Sequence, residues 1–578
     1  MTTNPEHSFL SGKKIPFTLI VFVLLQLLLF LPLYLTRSME GSFFPHLASL
    51  PQSLITRSNP DIFRWSLDYA LIFMLCLLLQ KRMKLTILAG GIAVIYFILL
   101  AFQIYYFIVW KIYGEIPVWS YDWALFQRVL PVFFKTMGIS PDLFKLLLLF
   151  LAALLIYISY RVHRWMLRRT QPWTSVFILV SACWFFGLPL ILNRLPHAPE
   201  SNNTKSAILW IIDNMHTTFT QARVKSLPAD LSHLPYEAYQ QLKIKTKPNI
   251  ELIFIEAYGS LLSTVQPYDS IYIHQLQHFD QKLKSNHWLS ASALSNSTIL
   301  GGRSWLGFTS LLSGIHIDNH PAYEKLIQDH VGYPHLINLL NHFGYETYRL
   351  NTMASFGDDN RALDSIAGRY FNNNKWTRFQ DLPYHGYKYD YMGGIPDQYA
   401  LNYWHEKVLN PSKQPYFLFF ITLNTHAPFY LPPPVLDNWN DLDTIKLSPH
   451  KTVRSENFSP VERYSKEVVY ILQVLEKYIL EKGNDNTLYV LVGDHQPAGM
   501  EYLLEGKTDV YATPLHIISR DSTWMKILLQ EGMTAGMVPP FHPGSLLSHE
   551  GFYSFFMSTW AKRDSLQLSV PYLKNGYQ

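Results

Sequence analysis

Four residues of this chain pair metal-binding or proton-moving side chains with a place at the end of a strand-like run. Glu256 follows the apolar stretch N-I-E-L-I-F-I, His426 closes Y-F-L-F-F-I-T-L-N-T-H, and Asp494 and His495 follow T-L-Y-V-L-V-G. Two carboxylates and imidazole nitrogens form a mixed oxygen and nitrogen donor set that suits zinc or manganese, with magnesium as a further option. Asp494 and His495 are adjacent, and adjacent residues of an ideal strand face opposite ways. Gly493 can end the strand, so that both turn inward.

A hydroxyl is the natural partner of such a set. The segment S-N-S-T-I-L-G-G-R-S-W-L-G-F-T-S-L-L-S-G, Ser295 to Gly314, supplies one. Gly301 and Gly302 permit a tight turn, Arg303 adds charge, and Ser304 then opens an apolar run of helical character. A hydroxyl at a helix N-terminus sits where backbone N–H groups and the helix dipole favour negative charge, which helps it ionise and bind phosphate. Ser304 is therefore the candidate nucleophile. Its competing reading is an ordinary N-cap, and Thr298, Thr309 and Ser310 are less well placed alternatives. A divalent ion shared with that hydroxyl would lower its pKa and offset phosphate charge.

The elements that position these residues follow from hydrophobic patterning. The three runs that end in chemistry are apolar without alternation, the signature of strands buried on both faces in a parallel sheet covered by helices. Ligands of open α/β sheets sit at the carboxyl ends of such strands. Around them, Pro334 to Phe343 reads as helix, Glu346 to Leu350 as a short strand and Val461 to Glu481 as a long amphipathic helix. The expectation is an α/β sandwich over residues 248–578, preceded by a polar linker with short helices over 196–247.

Residues 1–195 differ in kind. Of the chain's 578 residues 49% are hydrophobic, and these crowd into the first third. Five membrane spans are expected: about Ile15 to Leu35, Trp65 to Leu79, Leu85 to Trp110, Leu143 to Tyr160 and Trp173 to Leu192. The first is too long for a signal peptide and has no convincing cleavage site. The second is short for ~30 Å of hydrocarbon. Lys13 and Lys14, the Lys81 to Lys84 turn, and Arg161, Arg164, Arg168 and Arg169 then fall on one side, which the positive-inside rule makes cytoplasmic. Everything after the fifth span is extracytoplasmic. The loop from Lys111 to Pro141, with Trp119, Tyr121, Trp123, Phe126, Phe133 and Phe134, suits the membrane interface or a packed connector. The two cysteines, Cys76 and Cys183, both lie in expected spans, so the external part has no disulfide. A net charge of +5 without basic and aromatic interleaving gives no nucleic-acid surface.

F-I-E-A-Y, G-G-R-S-W, D-D-N-R, N-T-H-A-P-F and G-D-H-Q-P, together with five expected spans, resemble the lipoteichoic acid synthase group of the sulfatase branch of the alkaline phosphatase superfamily. The resemblance covers nearly the whole chain. It implies a multi-span helical membrane domain followed by an α/β sandwich of alkaline phosphatase type, in a bacterial cytoplasmic membrane. It also implies Glu256, Asp494 and His495 as ligands of one metal ion, Ser304 as nucleophile and further ligand, and Arg361 and His426 as phosphate or leaving-group contacts. Arg349 and Arg369 are alternatives to Arg361. The group's nucleophile is usually Thr, whereas this chain has Ser. Ser304 is not followed by the x-Pro-x-Arg that sulfatases need to form formylglycine, which disfavours sulfate ester hydrolysis.

The expected activity is transfer of a phosphoglycerol-type headgroup from a membrane phospholipid to a glycan or lipid acceptor through a covalent Ser304 intermediate. Water in place of the acceptor would make the same site a phosphodiesterase. A phosphoethanolamine headgroup and a non-catalytic lipid-sensing regulator are the remaining readings.

Overall fold

The computed structural model describes residues 17–36, 66–113, 140–170, 234–353, 360–387, 394–413, 415–427, 429–444, 458–504, 507–541 and 544–577, with short stretches between 117 and 231. The chain divides into two compact units, residues 1–111 with 116–222, and residues 112–115 with 223–578.

The first unit is helical. Its long described helices are α1 (Phe17–Thr36), α2 (Leu67–Leu79), α3 (Leu85–Tyr113) and α4 (Pro141–Arg169). Among the described residues, two stretches are long and apolar enough to cross a membrane, Leu85–Val109 and Asp142–Arg169. The first two expected spans appear as shorter apolar helical stretches, Phe17–Leu29 and Asp68–Leu79. The expected fifth span, with Cys183, lies outside the described residues. Helix α2 starts late because Ser66 caps it, its Oγ accepting from the Tyr69 N–H at 3.3 Å. Trp119 and Trp123 of the 111–141 loop are exposed and stack on each other at 5.1 Å.

The second unit begins its sheet at β1 (Asn249–Ile255), followed by α5 (Tyr268–Ser285), β2 (Leu289–Asn296), α6 (Ser304–Ser313), α7 (His320–Asp329), α8 (Leu336–His342) and β3 (Glu346–Asn351). Next come α9 (Asn360–Phe371), β4 (Lys375–Thr377), α10 (Asp397–Tyr403), β5 (Tyr416–Ile421), α11 (Pro460–Lys482) and β6 (Thr487–Gly493). The chain ends with β7 (Ala512–Ser519), α12 (Ser522–Gln530), β8 (Thr534–Ala535), β9 (Leu547–Ser548) and α13 (Phe552–Arg563).

The strands form one sheet in the order β4-β3-β5-β1-β6-β7-β2-β8, with β9 also pairing with β2. The β4-β3-β5-β1-β6 half is parallel, as expected from its doubly buried strands. The other half is not, because β7 runs antiparallel to both β6 and β2. Every residue of β1, β6 and β7 is buried, and alternate side chains feed two cores. Leu252 and Phe254 face the layer of α6, α8, α12 and α13. Ile253 and Ile255 face the layer of α5, α10 and α11. Burying one such side chain contributes about 1.5–3 kcal/mol. Leu231, Leu234, Tyr236 and Tyr239, in the stretch expected as linker, join the first of these cores, where Tyr236 and Tyr239 are fully buried and Tyr236 donates to the Gly314 carbonyl at 2.6 Å.

Glu251 of β1 is an exception to the apolar pattern. Its carboxylate is buried and accepts from the hydroxyls of Tyr416 at 2.9 Å and Tyr478 at 3.3 Å. Burial pushes its pKa up to about 7, against the pull of those two hydroxyls. In the unfolded chain this carboxyl ionises near 4.5, so its protonated folded form favours folding at low pH and that advantage fades as pH rises toward 7. Glu251→Gln, which stays neutral, should match the native protein in denaturant unfolding near pH 4 and exceed it by up to about 3 kcal/mol at pH 8. A stability difference that does not change with pH would contradict this assignment.

Candidate functional site

Strand register sets the level of the site. Ile255 of β1 pairs with Gly493 of β6, so the next residue of each strand, Glu256 and Asp494, emerges side by side at the carboxyl edge. On the other flank Phe254 pairs with Ile421 of β5, which delivers the Thr422 to His426 loop to the same edge. Gly493 is required here for space, since a Cβ would stand 1.9 Å from the Tyr258 carbonyl oxygen.

Backbone holds the Asp494 carboxylate, and threonine hydroxyls hold the main chain of Glu256. Asp494 Oδ1 accepts from the N–H groups of Ala257 and His495, both at 2.7 Å. Its Oδ2 is buried and accepts no hydrogen bond among the described residues. The Glu256 N–H donates to Thr422 Oγ1 at 3.0 Å, and the Thr425 hydroxyl donates to the Glu256 carbonyl. Tyr464 donates to the carbonyl of Ala257, which takes a left-handed φ of 50°.

Ser304 is the first residue of α6, and the N-cap position belongs to Arg303, itself left-handed at φ 60°. The hydroxyl is therefore not occupied as a cap. Ser304 Oγ donates to Glu256 Oε2 at 2.8 Å and lies 3.2 Å from His495 Nε2. Phe308, one turn further, packs edge-on against Phe254 and Phe419 and pins this helix to β1 and β5. Thr309 and Ser310 are fully buried, and Ser310 Oγ donates to the Leu306 carbonyl and accepts from the Ile317 N–H beyond the helix end. Thr298 is buried as well.

His495 Nδ1 lies 2.7 Å from the Gln496 carbonyl, which can only accept, so Nδ1 carries a proton and Nε2 is the ring nitrogen turned toward the cluster. Nε2 faces Ser304 Oγ, Glu256 Oε1 at 3.5 Å and Asp494 Oδ2 at 3.4 Å. Ligand atoms of Glu256, Asp494 and His495 all lie within 4.8 Å of one another, and all three residues are buried. The donor set fits a divalent cation. Two carboxylates meet in a low-dielectric site with one oxygen lacking a hydrogen bond, the imidazole offers nitrogen, and its other nitrogen is oriented by a carbonyl, as ligating histidines usually are.

His426 sits on the β5 loop with Nδ1 donating to the Ala427 carbonyl at 2.6 Å. Burial lowers its pKa, the Ala427 bond opposes this, and the ring feels both His495 and Asp494, which places it beside the cluster as a neutral imidazole at pH 7. Arg361 is the second residue of α9, and its side chain lies outside the described part. Of its alternatives, Arg369 is exposed, whereas Arg349 is buried with its guanidinium 4.2 Å from the Trp376 ring centre and 5.1 Å from that of Phe371. Trp305 donates to His320 Nδ1 at 3.2 Å. His316 pairs with Glu550 at 2.9 Å, and His542 lies outside the described residues.

Sequence reasoning passed over Thr422, Thr425 and Tyr464, whose task is to hold the backbone around Glu256. His549, which sequence alone gives as a surface or hydrogen-bonded histidine rather than a ligand, is the hydrogen-bonded kind. The structure buries it under the site, bonded to Ser295 Oγ at 2.8 Å and to the Gly493 carbonyl at 3.1 Å. Threonines after a strand and a histidine in a C-terminal turn carry no local signal for such roles.

Fold and site together define a mixed α/β sheet domain with a carboxylate, imidazole and hydroxyl cluster at its carboxyl edge. Residues 268–524 match the family model described as Sulfatase. The match spans Ser304, Arg361, His426, Asp494 and His495 and begins after Glu256. No curated protein matches the chain in sequence. Among solved structures, the integral membrane lipooligosaccharide phosphoethanolamine transferase A of Neisseria meningitidis is 13% identical over 92% of this chain and 95% of that one, with a TM-score of 0.45. The lipoteichoic acid synthase LtaP of Listeria monocytogenes is 12% identical over 59% and 79%, TM-score 0.36. The Streptococcus pyogenes phosphoglycerol transferase GacH is 11% identical over 58% and 84%, TM-score 0.35.

A cation that binds only the folded cluster stabilises the fold, by about 4 kcal/mol at a thousand times its dissociation constant. Adding Mn2+ or Zn2+ to chelator-treated native protein should raise its thermal midpoint, while Asp494→Asn should show no such rise. Equal shifts in both proteins would place the stabilising ion elsewhere.

Proposed function

We propose that this chain is a membrane-anchored, metal-dependent phosphotransferase that moves a phosphoglycerol-type headgroup from a phospholipid to an extracytoplasmic glycan or lipid acceptor. The observation that carries the reading is the Ser304 hydroxyl at a helix N-terminus, hydrogen-bonded to Glu256 and facing the basic nitrogen of His495. The motifs that resemble the lipoteichoic acid synthase group and the Sulfatase match support it.

A divalent ion held by Glu256, Asp494, His495 and the Ser304 oxygen would supply charge neutralisation and a lowered hydroxyl pKa. The chain's own groups do the rest. Ser304 Oγ attacks the phosphorus of the donor diester and the diacylglycerol oxygen leaves, so the headgroup phosphate becomes esterified to Ser304. The N-terminal N–H groups of α6 favour the negative phosphate during this exchange. An acceptor hydroxyl then attacks the same phosphorus and restores the serine. Neutral His426, beside the cluster, is positioned to take the acceptor's proton, and Arg361 is assigned to the phosphate.

The apolar helices α3 and α4 fit a bacterial cytoplasmic membrane with the sheet domain outside, where a lipid donor is at hand. The basic residues Arg168 and Arg169 end α4 and Lys81 to Lys84 follow α2, which agrees with those ends facing the cytoplasm.

The full-length chain in detergent should release diacylglycerol from labelled phosphatidylglycerol, and Ser304→Ala should lower that rate by roughly a thousandfold or more. Mass spectrometry of acid-quenched native protein should find glycerophosphate on the peptide containing Ser304, and none in the variant. Release that survives Ser304→Ala would remove the covalent route, and absence of release from any diacyl phospholipid would remove the lipid donor.

A further inference from the structure

Asp397, the first residue of α10, has no role in the chemistry above, yet it is fully buried at the carboxyl edge of the sheet. Its carboxylate accepts from the Leu423 N–H with both oxygens at 3.0 Å and from the Asn424 N–H at 2.9 Å. The Thr352 hydroxyl at the end of β3 approaches Oδ1 at 3.4 Å. The bonding is reciprocal, because the Asp397 N–H donates to Asn424 Oδ1 at 2.8 Å. One carboxylate thus fastens the exits of β3 and β5 to the start of α10.

The loop it fastens is the one that shapes the site. Thr422, immediately before the clamped pair, receives the Glu256 N–H, and Thr425, immediately after it, donates to the Glu256 carbonyl. His426 closes the same turn, its N–H donating to the Leu423 carbonyl at 2.9 Å. We infer that Asp397 is a positioning residue, which through the Thr422 to His426 loop sets both the backbone of the ligand Glu256 and the ring of His426. This rests on the cluster being the metal and phosphate site argued above.

Buried acceptors of this kind are sensitive to loss of one oxygen. In Asp397→Asn the amide nitrogen must face an N–H or O–H donor, so at least one bond is lost and a donor is left opposed to a donor. Groups that orient metal ligands typically change metal affinity 10–100-fold when altered.

The test is titration of Mn2+ and of Zn2+ into chelator-treated full-length protein by calorimetry, for the native chain, Asp397→Asn and Asn424→Ala, with thermal unfolding of the metal-free proteins as control. Asn424→Ala removes only the reciprocal bond, so it decides the question if Asp397→Asn does not fold. Both variants should bind metal about tenfold or more weakly, and hydrolysis of bis(4-nitrophenyl) phosphate should show Asp397→Asn costing much less in a His426→Ala background than in the native one. Native metal affinity in a folded Asn424→Ala, or equal costs of Asp397→Asn in the two backgrounds, would overturn the inference. A native protein that binds metal and cleaves no diester would instead overturn the transferase reading, with the affinity measurement still deciding the role of Asp397. A native protein that binds neither ion would overturn both.

Discussion

The structure depends on placing two carboxylates beside each other in a dry site. Glu256 and Asp494 follow paired residues of neighbouring parallel strands, and both are almost fully buried. Two buried like charges this close repel strongly, because a low dielectric strengthens their repulsion and removes the solvation that would offset it. The fold meets that demand first with backbone: two N–H groups on Asp494 Oδ1, and a stitched backbone around Glu256. It meets it next with the Ser304 hydroxyl, which donates to Glu256, and with His495 Nε2 these groups form a ligand set that would gain most from a cation among them. Asp494 Oδ2 accepts no hydrogen bond among the described residues, so an ion bound there would answer a demand that those residues do not.

The rest of the domain can be understood as support for that edge. Beneath it, β1 is the centre of the sheet and is flanked by the two other strands whose ends contribute to the site. On one face Phe308 anchors the helix that begins with Ser304, and on the other Tyr464 of α11 reaches the Ala257 carbonyl. Backbone in the left-handed region at Ala257 and Arg303 costs of the order of 1 kcal/mol each, and both positions adjoin the cluster. Such conformations persist because the sheet below leaves the chain no alternative exit.

How much of this could be read from residues alone depended on whether a signal was local. Strands β1, β5 and β6 declare themselves as unbroken apolar runs, and the residues just beyond them declare their chemistry by type. Helix α11 is plain from its apolar stripe. Strand β2 is L-S-A-S-A-L-S-N, whose small and polar residues resemble a connector, and β7 carries a proline and a histidine; the antiparallel pairing of β7 with β6 and with β2 was therefore not foreseen. His516 of β7 is tolerated there because Tyr258 and Ser292 satisfy its ring. Asp397, Thr422 and Thr425 carry no signal of a role in the sequence, and His549 shows none beyond that of a hydrogen-bonded histidine. Their importance lies in which distant backbone they meet, and spacing along the chain does not encode that.

The most direct test of the central claim is anomalous diffraction from crystals of the protein grown with Zn2+ or Mn2+, collected on both sides of the metal edge. The account predicts one strong anomalous peak enclosed by Glu256, Asp494, His495 and the Ser304 oxygen, at about 2.0–2.2 Å from its oxygen and nitrogen ligands. An ordered cluster with no peak, or a peak ligated by other residues, would contradict it.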